Sequence, residues 1–491
     1  MSSLILTVFI VYTVLILVIA HITSRKSDNE TFFTGNRKSP WFVVAYGMIG
    51  ASLSGVTFMS VPGDVYTNQF VYFGIVLGYI IGYAVIASVL LPLYYRLNLT
   101  SIYSYLNMRI GKHSEKTGAA FFILSRLLGS ALRMYLVVFV LYEFVFKDWG
   151  IPFWVPAVIF ISLILLYTFK GGIKTVVWTD TLQTTFLLLA AIITVVCILK
   201  ELNISIPDLL KASSEQGYTK LIETDPNHSK FWLKQILSGA FITIVMTGLD
   251  QDMMQKNMTC KNLRSAQKNV ITSSVLFIFV NIIFLCLGAS LIYYAQKTGF
   301  QLPVNEDGVV VNDKIFPSIA FSFSKLTSVV FVIGLVAAGY SSADGTLTAL
   351  TTTFCYNFLN FGDRDDISEE QKLKTRKHIH IIFAALYLLV IIAFRPFHDE
   401  SLINKVFQIA GYTYGPLLGL YTFGLFIKSR RPNDRIVPYI AIASPIISYI
   451  LNLYSKQLFN GYQFGFEILI INGLITFIAL FLCSKKEINN I

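Results

Sequence analysis

Two carboxylates and a cluster of hydroxyls stand where water should be scarce. Asp344 lies in Ala338-Gly339-Tyr340-Ser341-Ser342-Ala343-Asp344, deep in an apolar run, and Asp180 follows Trp178-Thr179 at the start of another. Polar groups at such positions are costly, so each is a candidate for function. Ser341, Ser342 and a nearby carboxylate offer hard oxygen ligands without thiolate or imidazole. That set suits an alkali or alkaline-earth cation and argues against zinc or copper. Na+ is favoured over Ca2+, since a tight Ca2+ site would want several carboxylates. The bland readings are an interfacial cap for Asp180 and a hydrogen-bonded packing role for Asp344.

Arg133 lies near the middle of the apolar run 119–146. Its planar fork can grip a solute carboxylate, or it can form a structural ion pair with Glu143 or another acid. Arg126, closer to the end of the run, is expected to snorkel. Ser52, Ser54 and Thr57 form a hydroxyl patch. Phe241, Gln408, Tyr412 and Tyr414 are candidate partners from the far half of the chain.

The elements that must position these groups are membrane helices. The chain has 491 residues, 55% hydrophobic and 14% charged, with mean hydropathy +0.63. Soluble domains carry about 25% charge, so a soluble enzyme, a disordered chain and a disulfide scaffold are excluded. Runs of about 20 apolar residues are long enough to cross a bilayer. Reading on that basis gives thirteen, at 3–22, 41–61, 70–95, 119–146, 151–169, 176–199, 231–254, 270–296, 328–357, 378–395, 401–427, 437–455 and 463–483. None alternates as membrane strands do.

Charge follows the same map. With the loop 21–40 placed in the cytoplasm, 25 of the 39 Lys and Arg fall on the inner side, 12 on the outer side, in loops or at span ends, and two well inside a span. The positive-inside rule then sets the N-terminus outside and the C-terminus in the cytoplasm of the plasma (inner) membrane. The net charge of +11 is absorbed this way, so no nucleic-acid partner is expected. The first run lacks basic residues before it and a small-x-small site after it, so it is expected to be retained. Five cysteines show no CxxC spacing. No P-loop, hydrolytic triad or metal-hydrolase spacing occurs, so the chain is not read as an enzyme.

The spans divide. Apart from the N-terminal helix 3–22 and two accessory helices in 437–483, ten remain, five in 41–199 and five in 231–427. An odd number per half makes the second half enter from the opposite side, the arithmetic of an inverted repeat within one transporter domain. The first helix of each half carries a weak point: Gly50-Ala51-Ser52-Leu53-Ser54-Gly55 in one, Thr247-Gly248-Leu249-Asp250 in the other. Clustered Gly and Ser weaken helical hydrogen bonding and free carbonyls for a cation.

Four stretches resemble the sodium:solute symporter family: Ser52-Leu53-Ser54-Gly55 with Pro62-Gly63, Gly171-Gly172-Ile173-Lys174 through Asp180, Gly248-Leu249-Asp250-Gln251-Asp252-Met253-Met254-Gln255, and Ala337-Ala338 through Ser342. The resemblance covers about residues 1–430. It implies an all-α membrane protein of LeuT type, acting as a monomer, that imports a small organic solute with Na+ by alternating access. Carried over by motif, the main Na+ site comprises carbonyls of Gly50, Leu53 and Ala338 with the hydroxyls of Ser341 and Ser342. A second site matches Asp180, Ser341, Asp344 and Gly345, where glycine replaces a hydroxyl residue. Proline carriers of the family have an acid where Ser52 stands. Its sialic-acid carriers are similar at Ser52, Ser54, Thr57, Phe241 and Arg133. Those carriers also use a glutamine from the second core helix. The run 70–95 has no Gln or Asn, so that contact is either missing or replaced by Tyr72 or Tyr79. The expectation is an acidic sugar such as sialic acid, bound by Ser52, Ser54, Thr57, Arg133, Phe241 and Gln408. A neutral sugar, polyol or inositol is the alternative, and a proton-coupled carrier the more distant one.

Overall fold

The computed structural model describes residues 2–25, 27–364, 366–395 and 402–486. Each of the thirteen apolar runs overlaps helix over most of its length, and residue 401 lies outside the described residues. Helix α1 (Ser2–Thr23) is followed by the short α2 (Asn29–Thr34). The next apolar run is two helices, α3 (Trp41–Ser52) and α4 (Gly55–Asn68), bent by 60°. Then come α5 (Phe73–Arg96), α6 (Lys112–Trp149) and α7 (Trp154–Glu201). The second half opens on another bent pair, α8 (Trp232–Gly248) and α9 (Gln251–Met258), at 65°. It continues through α10 (Leu263–Thr298), α11 (Asn312–Phe323), α12 (Lys325–Phe358), α13 (Glu369–Ala393), α14 (Leu402–Thr413) and α15 (Gly415–Phe426). Helices α16 (Val437–Leu453) and α17 (Ile468–Leu482) close the chain.

Among the described residues, seven helices are long and apolar enough to cross a bilayer, or nine if each bent pair is one span. The runs 151–169 and 176–199 are two helical limbs of α7, separated by a break at Gly172 (φ 48°, ψ −133°). That backbone conformation strains any residue with a Cβ, and a Cβ there would also strike the ring of Phe32. Strands were not expected, yet β1 (Arg430–Pro432) and β2 (Ser484–Lys486) form a small antiparallel ribbon.

Large apolar side chains such as Val11, Leu166, Phe279 and Leu389 are exposed. Such a surface is stable only against lipid tails. The opposite holds for α12, whose residues from Gly334 to Thr353 are all buried. It packs on α3, α4, α6 and α7, and so is the post around which both broken helices are arranged.

Candidate functional site

The first break opens the backbone. Helix α3 ends at Ser52, Leu53 is extended (φ −84°, ψ 92°), and α4 starts after Ser54. Leu53 N still donates to Ile49 O, but the backbone ladder resumes only where Phe58 N donates to Ser54 O. Among the described residues, the bonds that would continue the helix from Ser54 N to Gly50 O and from Thr57 N to Leu53 O are not made. Those carbonyls are freed in a region where a missing bond is costly. No side chain caps α4, so the positive end of its dipole is also open.

Three hydrogen bonds lead from this break to the hydroxyl pair on α12. Gly50 N donates to Thr184 Oγ1 (3.0 Å) and Thr184 Oγ1 donates to Asp180 O (2.7 Å). Asp180 Oδ1 accepts from Ser341 Oγ (2.6 Å). With its proton committed to Asp180, the Ser341 hydroxyl presents only lone pairs elsewhere. Among the described residues Ser342 Oγ is buried without a hydrogen-bond partner. Asp344 accepts from Tyr167 (2.9 Å), Thr179 (3.4 Å), Gln183 (3.5 Å) and the Gly345 amide (2.6 Å), all neutral donors.

A cavity of about 80 Å³ borders the first break. Its lining includes Ser52, Ser54 and Thr57 from the break, Tyr72, Tyr79 and Tyr83 from α5, and Arg126 and Arg133 from α6. Thr243, Met246 and Thr247 of α8 and Val406 and Phe407 of α14 complete the wall. The hydroxyls of Tyr72 and Tyr79 are 3.2 Å apart. They stand on α5, the helix that carries no Gln or Asn.

Two expected residues lie elsewhere. Phe241 packs at the edge of the apolar core, while the next residues of its helix, Ile242 and Thr243, reach the cavity. One residue is about 100° of helical rotation, enough to turn a side chain off a wall. Gln408 is exposed and lines a different cavity with Ser229, Lys230 and Gln235. Its neighbours Val406 and Phe407 take the inner position.

The two arginines behave differently. Arg126 does not snorkel: it is buried and grips Asp250 through Nε and one terminal nitrogen, both at 2.7 Å. It also lies 3.3 Å from Asp252. Asp250 is the N-cap of α9, accepting from Met253 N (3.1 Å), and it accepts from Tyr414 OH (2.5 Å). The second break is thus filled by an ion-paired carboxylate. Arg133, two turns along α6, faces the cavity and makes no ion pair among the described residues. Glu143, its suggested partner, pairs with Lys147 instead (2.8 Å).

Lys256, just beyond the end of the apolar run 231–254, is 1% exposed and pairs with Asp180 Oδ2 (2.9 Å) and Asp252 Oδ1 (3.4 Å). The i, i+4 spacing of Asp252 and Lys256 was the available signal for this network.

A sequence profile of the sodium:solute symporter family matches residues 32–435. The chain is 24% identical over 461 residues to the sodium/sialic acid symporter SiaT of Proteus mirabilis (strain HI4320), covering 92% of this chain and 89% of that one. It is 24% identical over 474 residues to the sodium/sialic acid symporter NanT of Aliivibrio fischeri (strain ATCC 700601 / ES114), covering 95% and 90%. A solved substrate-bound outward-open state of a Na+-coupled sialic acid symporter matches with TM-score 0.83 and 22% identity, over 98% of this chain and 99% of that chain. At that identity the match speaks for the shared fold.

Proposed function

Because this chain belongs to the sodium:solute symporter family, we propose that the solute it moves with Na+ is a small acidic sugar such as sialic acid. The chain is a multi-pass membrane transporter, and Na+ is its coupling ion. One observation carries the choice of solute: Arg133, 9% exposed, faces a hydroxyl-lined cavity without a counter-charge among the described residues. A buried cation is stable only when paired, so the partner is brought by the solute. The uncapped start of α4 beside it favours the same sign of charge. Ser52, Ser54, Thr57, Tyr72 and Tyr79 supply hydroxyls for the rest of a sugar. The relatives named as sodium/sialic acid symporters agree with this assignment.

Na+ is held by carbonyls of Gly50, Leu53 and Ala338 and hydroxyls of Ser341 and Ser342. The released backbone at the first break, the packing of α3 on α12 and the unpartnered Ser342 hydroxyl support that set. Bound there, the ion ties the broken helix to the central post and raises the population of the outward-open state. Solute then enters the cavity, the halves 41–199 and 231–427 rock about it, and low cytoplasmic Na+ releases both. The N-terminus lies outside, the C-terminus in the cytoplasm, and a single copy suffices.

Proteoliposome uptake tests this reading. An inward Na+ gradient should accelerate uptake of labelled sialic acid, and replacing Na+ by choline at fixed pH should abolish it. Persistence in choline would assign proton coupling. Na+-driven uptake of a neutral polyol with no uptake of sialic acid would overturn the acidic-sugar assignment.

A further inference from the structure

The environment of Asp180 differs from what an ion ligand needs. Its two carboxylate oxygens are both engaged: Oδ1 by the Ser341 hydroxyl at 2.6 Å, Oδ2 by the Lys256 ammonium at 2.9 Å. Both ionic side chains are 1% exposed. Lys256 is also 3.4 Å from Asp252 Oδ1, while Asp252 Oδ2 faces Arg126 at 3.3 Å. The ammonium therefore bridges two carboxylates on different helices, one on α7 and one on α9.

Gly345 completes the arrangement. A Cβ at this position would lie 2.7 Å from Lys256 Nζ and closer still to Asp252 Oδ1. Any side chain at 345, a hydroxyl residue included, would take the space of the ammonium. The missing hydroxyl and the buried lysine are thus one feature: an oxygen ligand is absent from the place where a fixed positive charge is present. A free cation brought to Asp180 and Ser341 would meet that charge at ion-pair distance, in a medium that screens it poorly.

We propose that Lys256 is a tethered cation that substitutes for a second Na+, so that the carrier binds a single Na+, at the site of Gly50, Leu53, Ala338, Ser341 and Ser342. The tether reaches from the inner limb of the second broken helix to α7, joining elements that a mobile ion would otherwise join only when bound. This rests on the Na+-symporter reading but not on the identity of the solute.

Equilibrium binding of radioactive Na+ to the purified full-length carrier in detergent separates the two. The wild type should bind a single saturable Na+ per chain, as should Lys256→Arg. Lys256→Met, which keeps the volume and removes the charge, should bind a second. A second saturable Na+ in the wild type overturns the proposal, as does a folded Lys256→Met protein that binds only one. Should Lys256→Met not fold, the wild-type count decides alone. Absence of any Na+ binding in the wild type would instead remove the Na+-symporter reading on which the proposal stands.

Discussion

Arg126 and Arg133 stand on the same helix seven residues apart and are similarly buried, at 5% and 9% exposure. Their surroundings are opposite. Around Arg126 the protein supplies the anions, with Asp250 gripped in bidentate fashion, Asp252 alongside and Tyr414 holding the far side. Around Arg133 it supplies hydroxyls and space. Burial alone therefore says little about what a membrane arginine does. The position of its counter-charge decides: Arg126 finds its partner within the chain, while Arg133 faces a cavity with no ion pair among the described residues. The two breaks repeat the contrast. The second is filled by Asp250 in ion pairing, whereas at the first, among the described residues, the carbonyls of Gly50 and Leu53 lack their helical bonds.

The largest effect should come from breaking the satisfied side. Arg126→Met leaves Asp250 without its cation in a low-dielectric site and should destabilise the protein by about 3–5 kcal/mol. Thermal unfolding in detergent would read this as a large fall in midpoint, and an unchanged midpoint would remove the structural role. Arg126→Met combined with Asp250→Leu should recover much of that loss, because the uncompensated charge is gone.

Arg133→Met should do the reverse. The unfolding midpoint stays near that of the wild type, while uptake of acidic solute at low concentration falls by at least about tenfold, the loss of a charge-assisted pair of about 1.5–3 kcal/mol. Ser342→Ala sharpens the comparison at the cation. Half-saturation by Na+ should rise about fivefold to tenfold as one ligand oxygen is lost, about 1 kcal/mol. An unaltered Na+ dependence would exclude Ser342 as a ligand. The smallest change is expected for Tyr79→Phe, with apparent solute affinity weakened about threefold and Na+ dependence unaffected. A neutral result there would confine Tyr79 to packing.

Much of the fold was legible before the structure. The apolar runs declare themselves by length, and both break points by clustered Gly, Ser and Asp, because local backbone propensity suffices to weaken a helix at Leu53-Ser54 and Leu249-Asp250. Chemistry marked Ser52, Ser54, Thr57 and Arg133 one by one, since each is expensive in an apolar segment, while their grouping came from the family resemblance. Phe241 and Gln408 were placed on their helices without knowledge of rotation, and α-helical geometry penalises an error of a single residue. Arg126 and Lys256 were misread because span ends look alike to a hydropathy window: a basic residue near an end is read as facing water.

The amino-acid sequence by itself determined a helical membrane protein with two broken helices and oxygen-bearing side chains inside apolar helices, since these follow from free energies of transfer and local backbone preference. Only the tertiary structure decided which charge meets which. Arg126 and Asp250 are 124 residues apart, and Lys256 must cross from the second half to reach Asp180 in the first. Coulombic pairing depends on distance in space rather than along the chain. The difference between a structural arginine and a solute-facing one appears only once the helices have packed.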